Sequence, residues 1–259
     1  MSPSVSKPRL LVIQHVSHEP LGTLGAILGA DLDIEVQPAY GDPVAYRHVV
    51  ADLVKSPQFD GLVLLGGPPS VYDHAEVESL EDSIRLTRSA LKMGAPILGL
   101  CLGAQLLAWC LGAQVVSGRT QGRRKEIGWF PVSLTPRGRV EPALHGFDET
   151  SPVFHWHGDT FALPEGSWHL ASSAAYPNQG FRWGRWAYGL QFHVEVTADL
   201  VREWVTAYAD ELAALDYVDV PAILAGADEH APALAKKAEV LGRRFVECVQ
   251  AFVHERSAP

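Results

Sequence analysis

A cysteine at the centre of "GLCLG" (99–103) stands where an apolar run turns into a helical stretch. This is the spacing of the G-x-S-x-G nucleophile elbow, with sulfur in place of the hydroxyl. The glycines permit a tight strand-to-helix turn and leave room around the sulfur. A helix beginning directly after Cys101 favours its thiolate, because free N–H groups and the helix dipole attract negative charge. The backbone N–H of Leu102 then points where an oxyanion would form. Without that chemistry, Cys101 is an ordinary buried thiol packed in a turn. Cys110 and Cys248 lie inside apolar helical stretches and are expected in the core.

A nucleophilic cysteine needs a base, and the base needs an orienting group. Among eleven histidines the best placed is His193, in "YGLQFHVEVT" (188–197). Read as a strand, "GLQFHVE" projects His193 and Glu195 from one face. A carboxylate there fixes the imidazole's tautomer while the other ring nitrogen faces the sulfur. Taken alone, the pair is a strand end carrying a His and a Glu by chance. Elbow and pair together point to a Cys-His-Glu triad.

"HWHGD" (155–159) has a rival reading, since H-x-H-x-D on one strand face offers three metal-competent side chains. Metallo-hydrolases often continue such a run with a further histidine, where this chain has Thr160. That reading also leaves the elbow and "FHVE" unexplained, so no metal is expected. The glycine-rich "LGGPPS" (65–70) lacks the Lys-Ser/Thr of a P-loop and the G-x-G-x-x-G spacing. Trp156, Trp168, Trp183 and Trp186 are read as core or pocket wall.

The elements that must position these groups alternate. "RLLVIQHV", "DGLVLLGGPPS" and "PILGL" are apolar strands, separated by helical stretches over 44–55 and 76–94, the latter stopped by Gly94. Such strands are buried on both faces and pair in parallel. "EIGWFPVSL", "PVFHWHGD", "WHLASSA", "GFRWG" and "WAYGLQFH" then form a strand-rich stretch. From 198 onward the pattern is helical, with a break at Pro221 and a final helix from Pro232 to His254. We expect an open, mostly parallel α/β sheet flanked by helices, with an antiparallel extension and a helical C-terminal section. Residues 1–259 are read as one domain, with a core over 9–200 and an extension over 198–259.

Composition bounds the partners. With 47% hydrophobic and 20% charged residues, the 259-residue chain can bury a sizeable core. A net charge of −9 argues against a nucleic-acid face, and the basic "RTQGRRK" (119–125) is read as a solvated loop. No window approaches a membrane span, and no signal peptide is evident. Three cysteines form neither a disulfide framework nor a zinc pattern, so a cytoplasmic protein with reduced thiols is expected.

With "LLGGPPSVYD" (64–73), "PILGLCLGAQLLA" (96–108), "KEIGW" (125–129), "HWHGDTFALPEG" (155–166) and "GLQFHVE" (189–195) in this order, the chain resembles the class I (triad) glutamine amidotransferases. The likeness is to stand-alone members related to the glutaminase domain of GMP synthetase. It covers roughly residues 9–200 and implies a flavodoxin-like fold. It also implies Cys101 as nucleophile, His193 as base, Glu195 as third member, and no cofactor. Gly67 matches the position whose N–H joins that of Leu102 in the oxyanion hole. Gln105 matches a substrate-holding glutamine, and Gly158 and Asp159 match positions lining the glutamine's amino-acid end. Two departures stand out. Val194 replaces the proline of "FHPE", and Trp156 takes the place of a serine or asparagine, reshaping that pocket. The implied substrate is glutamine or a γ-glutamyl compound, with ammonia passing to an acceptor enzyme on a separate chain. A γ-glutamyl peptidase with the same triad and a catalytically silent binding protein are the alternatives.

Overall fold

Apolar runs with no polar face must be covered on both sides, and the fold does this with helices. The computed structural model describes residues 6–258. In chain order its first half comprises β1 (Arg9–Gln14), α1 (Thr23–Gly29), β2 (Asp33–Pro38), α2 (Pro43–Lys55), β3 (Gly61–Leu64), α3 (Glu78–Met93), β4 (Ile97–Leu100) and α4 (Leu102–Cys110). There follow β5 (Val115–Ser117), β6 (Glu126–Leu134), β7 (Thr150–His157), β8 (Asp159–Phe161), β9 (Trp168–Ser172), β10 (Gly180–Trp183) and β11 (Ala187–Leu190). The chain closes with α5 (Ala198–Ala207), α6 (Ala209–Ala213) and α7 (Val220–Ser257).

Nine strands form one sheet in the order β2-β1-β3-β4-β11-β10-β9-β6-β7. The ladders from β2 to β11 are parallel and those from β11 to β7 antiparallel. β5 and β8 make a separate antiparallel pair. Every residue of β3, β4 and β11 is buried, as expected for strands covered on both faces. Right-handed crossovers put α1 on the opposite face from α2, α3 and α4. Accordingly α1 packs on α7, while α2 packs on α3 and α3 on α4. The strand order reverses between β1 and β3, and ligands of such sheets bind at the carboxyl ends beside that reversal. Local signals agree with these boundaries. Asp42 caps α2 by accepting from the Val44 and Ala45 N–H groups, and Gly94 ends α3 at φ 70°.

Four expectations are corrected. Pro221 lies in the first turn of α7, behind the Asp219 cap, and Pro232 sits inside the same 38-residue helix. The helix runs through Pro232 because its buried stripe is continuous: Ile223, Ala227, Ala231, Leu234, Ala238, Leu241 and Phe245 all face the core. Tertiary burial outweighs the missing proline N–H. β11 ends at Leu190, so His193 and Glu195 lie beyond the regular strand; His193 joins Phe154 through an isolated antiparallel bridge. β7 ends at His157, which removes Asp159 from the strand face carrying His155 and His157. Trp168 also departs from expectation: it is exposed, with the Arg182 guanidinium 3.8 Å above its ring. Among the described residues no helix is long and apolar enough to cross a membrane.

Candidate active site

The turn from β4 into α4 holds Cys101 at φ 50°, ψ −108°, the only positive φ among the described non-glycine residues. Strain of this kind persists only where its surroundings enforce it. Here they do so through close backbone approach. A Cβ on Gly99 would lie 2.4 Å from the Gly103 carbonyl oxygen, and one on Gly103 would lie 2.0 Å from that of Leu64. The Cys101 N–H is held at 2.8 Å by the Leu190 carbonyl of β11. The sulfur is thereby fixed at the N-terminus of α4, 6% exposed. Its thiol donates to the Trp156 carbonyl at 3.7 Å, and it accepts from the Gln191 amide at 3.7 Å.

His193 shares the cavity with Cys101. Its Nδ1 lies 2.6 Å from Glu195 Oε1, which leaves Nε2 for the sulfur side. Both residues are almost wholly buried. The Trp204 ring packs edge-on at 4.8 Å, and the His193 N–H is anchored by the Phe154 carbonyl at 2.9 Å. Burial pushes the imidazole's pKa down, but Glu195 and the Cys101 sulfur outweigh it and hold His193 well above its ordinary value. The ring therefore stands between a carboxylate and a sulfur.

Gly67 and Leu102 line the same cavity, and a Cβ on Gly67 would lie 3.2 Å from Leu102 Cδ2. The loop carrying Gly67 is propped by buried His15, whose Nδ1 lies 3.1 Å from the Leu65 carbonyl. Burial lowers that imidazole's pKa to about 4, so it stays neutral. Gln105 donates to the Gln191 side chain at 3.2 Å. Gly158, Asp159 and Trp156 also line the cavity. Asp159 accepts from the Ser70 hydroxyl at 2.5 Å and the Tyr72 hydroxyl at 3.3 Å. The Trp156 indole N–H donates to Glu211 at 3.0 Å, and Lys125 pairs with the same carboxylate. All nine residues singled out in the sequence thus reach one site.

Five further residues of the site escaped the sequence reading: Glu19, Lys125, Gln191, Tyr208 and Glu211. Gln191 had a signal, standing two residues before His193 in a segment already singled out. Lys125 belongs to the basic run read as a solvated loop. Glu19 follows β1, while Tyr208 and Glu211 come from the α5–α6 junction, and no spacing links them to the elbow.

The histidines of "HWHGD" meet a different carboxylate. Ligand atoms of Glu126, His155 and His157 lie within 4.8 Å of one another, all buried. Glu126, opposite His157 in the β6–β7 ladder, already accepts from Ser173 at 2.8 Å and from Gln179 at 2.7 Å, with His157 Nε2 at 3.2 Å. The Gln179 amide thus sits among the would-be ligands, and the cluster reads as a hydrogen-bonded network around the Glu126 carboxylate. Burial pushes the Glu126 carboxyl up, but His157, His155 and Ser173 more than compensate and hold it below its ordinary value.

A thiol at a strained strand-to-helix elbow thus stands beside a carboxylate-bonded histidine, at the carboxyl ends of the parallel strands of an α/β sheet. The family described as "Glutamine amidotransferase class-I" matches residues 38–203. The glutamine amidotransferase-like protein YfeJ of Salmonella typhimurium is 32% identical over 207 residues, covering 78% of this chain and 82% of YfeJ. The glutamine-hydrolysing GMP synthase of Leifsonia xyli is 36% identical over 160 residues, 61% of this chain and 30% of that enzyme. A glutamine amidotransferase crystal structure from Thermotoga maritima superposes with TM-score 0.79 and 32% identity, covering 94% of this chain and all of that one. One from Methylobacillus flagellatus gives 0.77 and 26%, covering 94% of this chain and 96% of that one. The chain belongs to the class I glutamine amidotransferase family.

Proposed function

We propose that the protein hydrolyses the γ-amide of glutamine through a cysteine thioester and releases ammonia to an acceptor enzyme on a separate chain. The observation that carries this reading is the strained Cys101 beside an imidazole whose Nδ1 lies 2.6 Å from Glu195. Cys101 Sγ gives its proton to His193 Nε2 and attacks the amide carbon, and the carbonyl electron pair moves to an oxygen held by the Gly67 and Leu102 N–H groups. Each such donor is worth about 10²–10³ in rate. As the carbon–nitrogen bond breaks, His193 Nε2 gives its proton to the nitrogen and ammonia leaves. Water then attacks the thioester, His193 takes its proton, and glutamate departs as the thiolate re-forms. Glu195 orients the ring throughout. Gln105, Gly158, Asp159 and Trp156 hold the amino-acid end. Each step uses groups of this chain, so the scheme calls for no cofactor and no metal. The reading takes the chain as one catalytic unit, supported by a hydrophobic cluster continuous from β1 to α7.

A second reading, γ-glutamyl peptide hydrolysis by the same groups, is favoured by the charged wall of Lys125 and Glu211, which extends the cavity beyond the elbow. Purified protein assayed for glutamate and ammonia or amine release from glutamine and γ-glutamyl dipeptides separates the two. The amidotransferase reading expects weak but measurable glutamine turnover. Fast dipeptide cleavage with negligible glutamine turnover would replace it with the peptidase.

A further inference from the structure

The proposed chemistry leaves a buried carboxylate of the cavity unused. Glu19, on the loop after β1, is 6% exposed and lines the cavity with Cys101 and His193. The Tyr208 hydroxyl donates to its Oε1 at 2.5 Å, while Oε2 receives no donor from the described residues. Oε2 lies against the backbone of Gly66, the neighbour of the proposed oxyanion glycine. A Cβ on Gly66 would sit 2.3 Å from Oε2 and 3.0 Å from His193 Cε1. The open oxygen therefore lies on the imidazole side of the cavity, where the scission ends. Burial raises the Glu19 pKa, with the His193 imidazole and the Tyr208 hydroxyl pulling against it. Oε2 is thus free to accept from a group that enters the cavity.

In the thioester mechanism, one participant on this side still lacks a partner for its hydrogens. The departing nitrogen must aim its lone pair at His193 Nε2–H, and its own N–H bonds must then point elsewhere. We propose that Glu19 Oε2 accepts an N–H of the scissile amide nitrogen and so forms the binding site for the departing amine. The proposal rests on the amide-hydrolase reading above. The sulfur–carbon bond forms, and on collapse the carbon–nitrogen bond breaks with its electron pair left on nitrogen. That pair takes the His193 proton. Glu19 exchanges no proton and only holds the nitrogen. The leaving groups it recognises keep at least one N–H on the scissile nitrogen: ammonia or a primary amine. An ester, whose leaving oxygen carries no hydrogen, gains nothing from it.

The test compares kcat/KM on glutamine with kcat/KM on the γ-methyl ester of glutamate, for the wild type, Glu19→Gln and Tyr208→Phe. Glu19→Gln keeps an acceptor for Tyr208 but can turn an N–H toward the scissile nitrogen. It should lower amide turnover about ten- to a hundredfold, the usual effect of losing a charge-assisted hydrogen bond, and leave the ester within about twofold. Tyr208→Phe should show the same split at about threefold, since it loosens Glu19 without removing it. Tyr208→Phe decides the matter if Glu19→Gln does not fold, with melting temperatures recorded for both. Equal losses on amide and ester, or no loss on either, overturn the proposal. A wild-type protein that cleaves neither these two compounds nor γ-glutamyl dipeptides overturns the amide-hydrolase reading itself, and the proposal falls with it.

Discussion

Replacing Gly103 with alanine perturbs the elbow without touching any proposed reacting group. The new Cβ would lie 2.0 Å from the Leu64 carbonyl oxygen and 2.6 Å from its carbon, where real contacts do not fall below 3.0 Å. α4 and β3 must therefore part by about 1 Å. Neither side yields cheaply, since Leu64 is paired in the sheet with Gly99 and Gly103 lies in the first turn of α4. Overpacking of this kind costs about 1–3 kcal/mol, and contact between two backbones puts this site at the upper end. Cys101 precedes Gly103 by two residues and moves with the helix. A displacement of about 1 Å at a reacting atom costs on the order of 10² in rate. Urea denaturation and glutamine-hydrolysis kinetics on one preparation should thus show about 3 kcal/mol lost and kcat/KM down about a hundredfold. Gly112→Ala is the control. Its φ is +84° with nothing within 4 Å, so it should cost about 1–2 kcal/mol and leave kcat unchanged. A Gly103→Ala protein within about 0.5 kcal/mol and twofold in kcat of wild type would show that close approach does not fix the sulfur.

Other outcomes follow from the same site. His193→Asn removes the proton carrier and should cost roughly 10⁵-fold in kcat, with Glu195→Gln at least tenfold milder because it disturbs only orientation and charge; ammonia release measures both, and equal losses contradict the roles. Trp156→Ser should change KM more than kcat, since a wall residue touches substrate alike in ground and transition states; a kcat effect without a KM effect refutes this. Glu126, held below its ordinary pKa when folded, stabilises the protein above the unfolded carboxylate's pKa and loses that contribution as pH falls through the folded value. Glu126→Gln should therefore cost about 3 kcal/mol at pH 7, in a gap to wild type that narrows in acid; denaturation at several pH values would expose a pH-independent gap.

What was legible in the sequence was local. The elbow could be read because its glycines, cysteine and following helix are adjacent in the chain, and the backbone contacts of Gly99 and Gly103 supply the physical reason for the spacing. β6 could be bounded at 126–134 because its residues form one uninterrupted strand. His193 and Glu195 were paired by assuming a strand, yet β11 stops at Leu190 and the Phe154 bridge and the Trp204 ring hold His193 instead. The final helix was cut at its prolines because propensity is visible in sequence, whereas the buried stripe that carries α7 through Pro232 depends on its packing partners. Glu19 and Tyr208 stand 189 residues apart and meet only through the fold.

The most direct measurement of the central claim is covalent labelling by a glutamine-like diazo-ketone, mapped by mass spectrometry. The thiols of Cys110 and Cys248 are internal controls, since burial pushes their pKa values up to about 12 and about 11. The account predicts one label per chain, on Cys101, with glutamine hydrolysis lost in proportion to labelling. A label on Cys110 or Cys248, or full hydrolysis after complete labelling of Cys101, would contradict it.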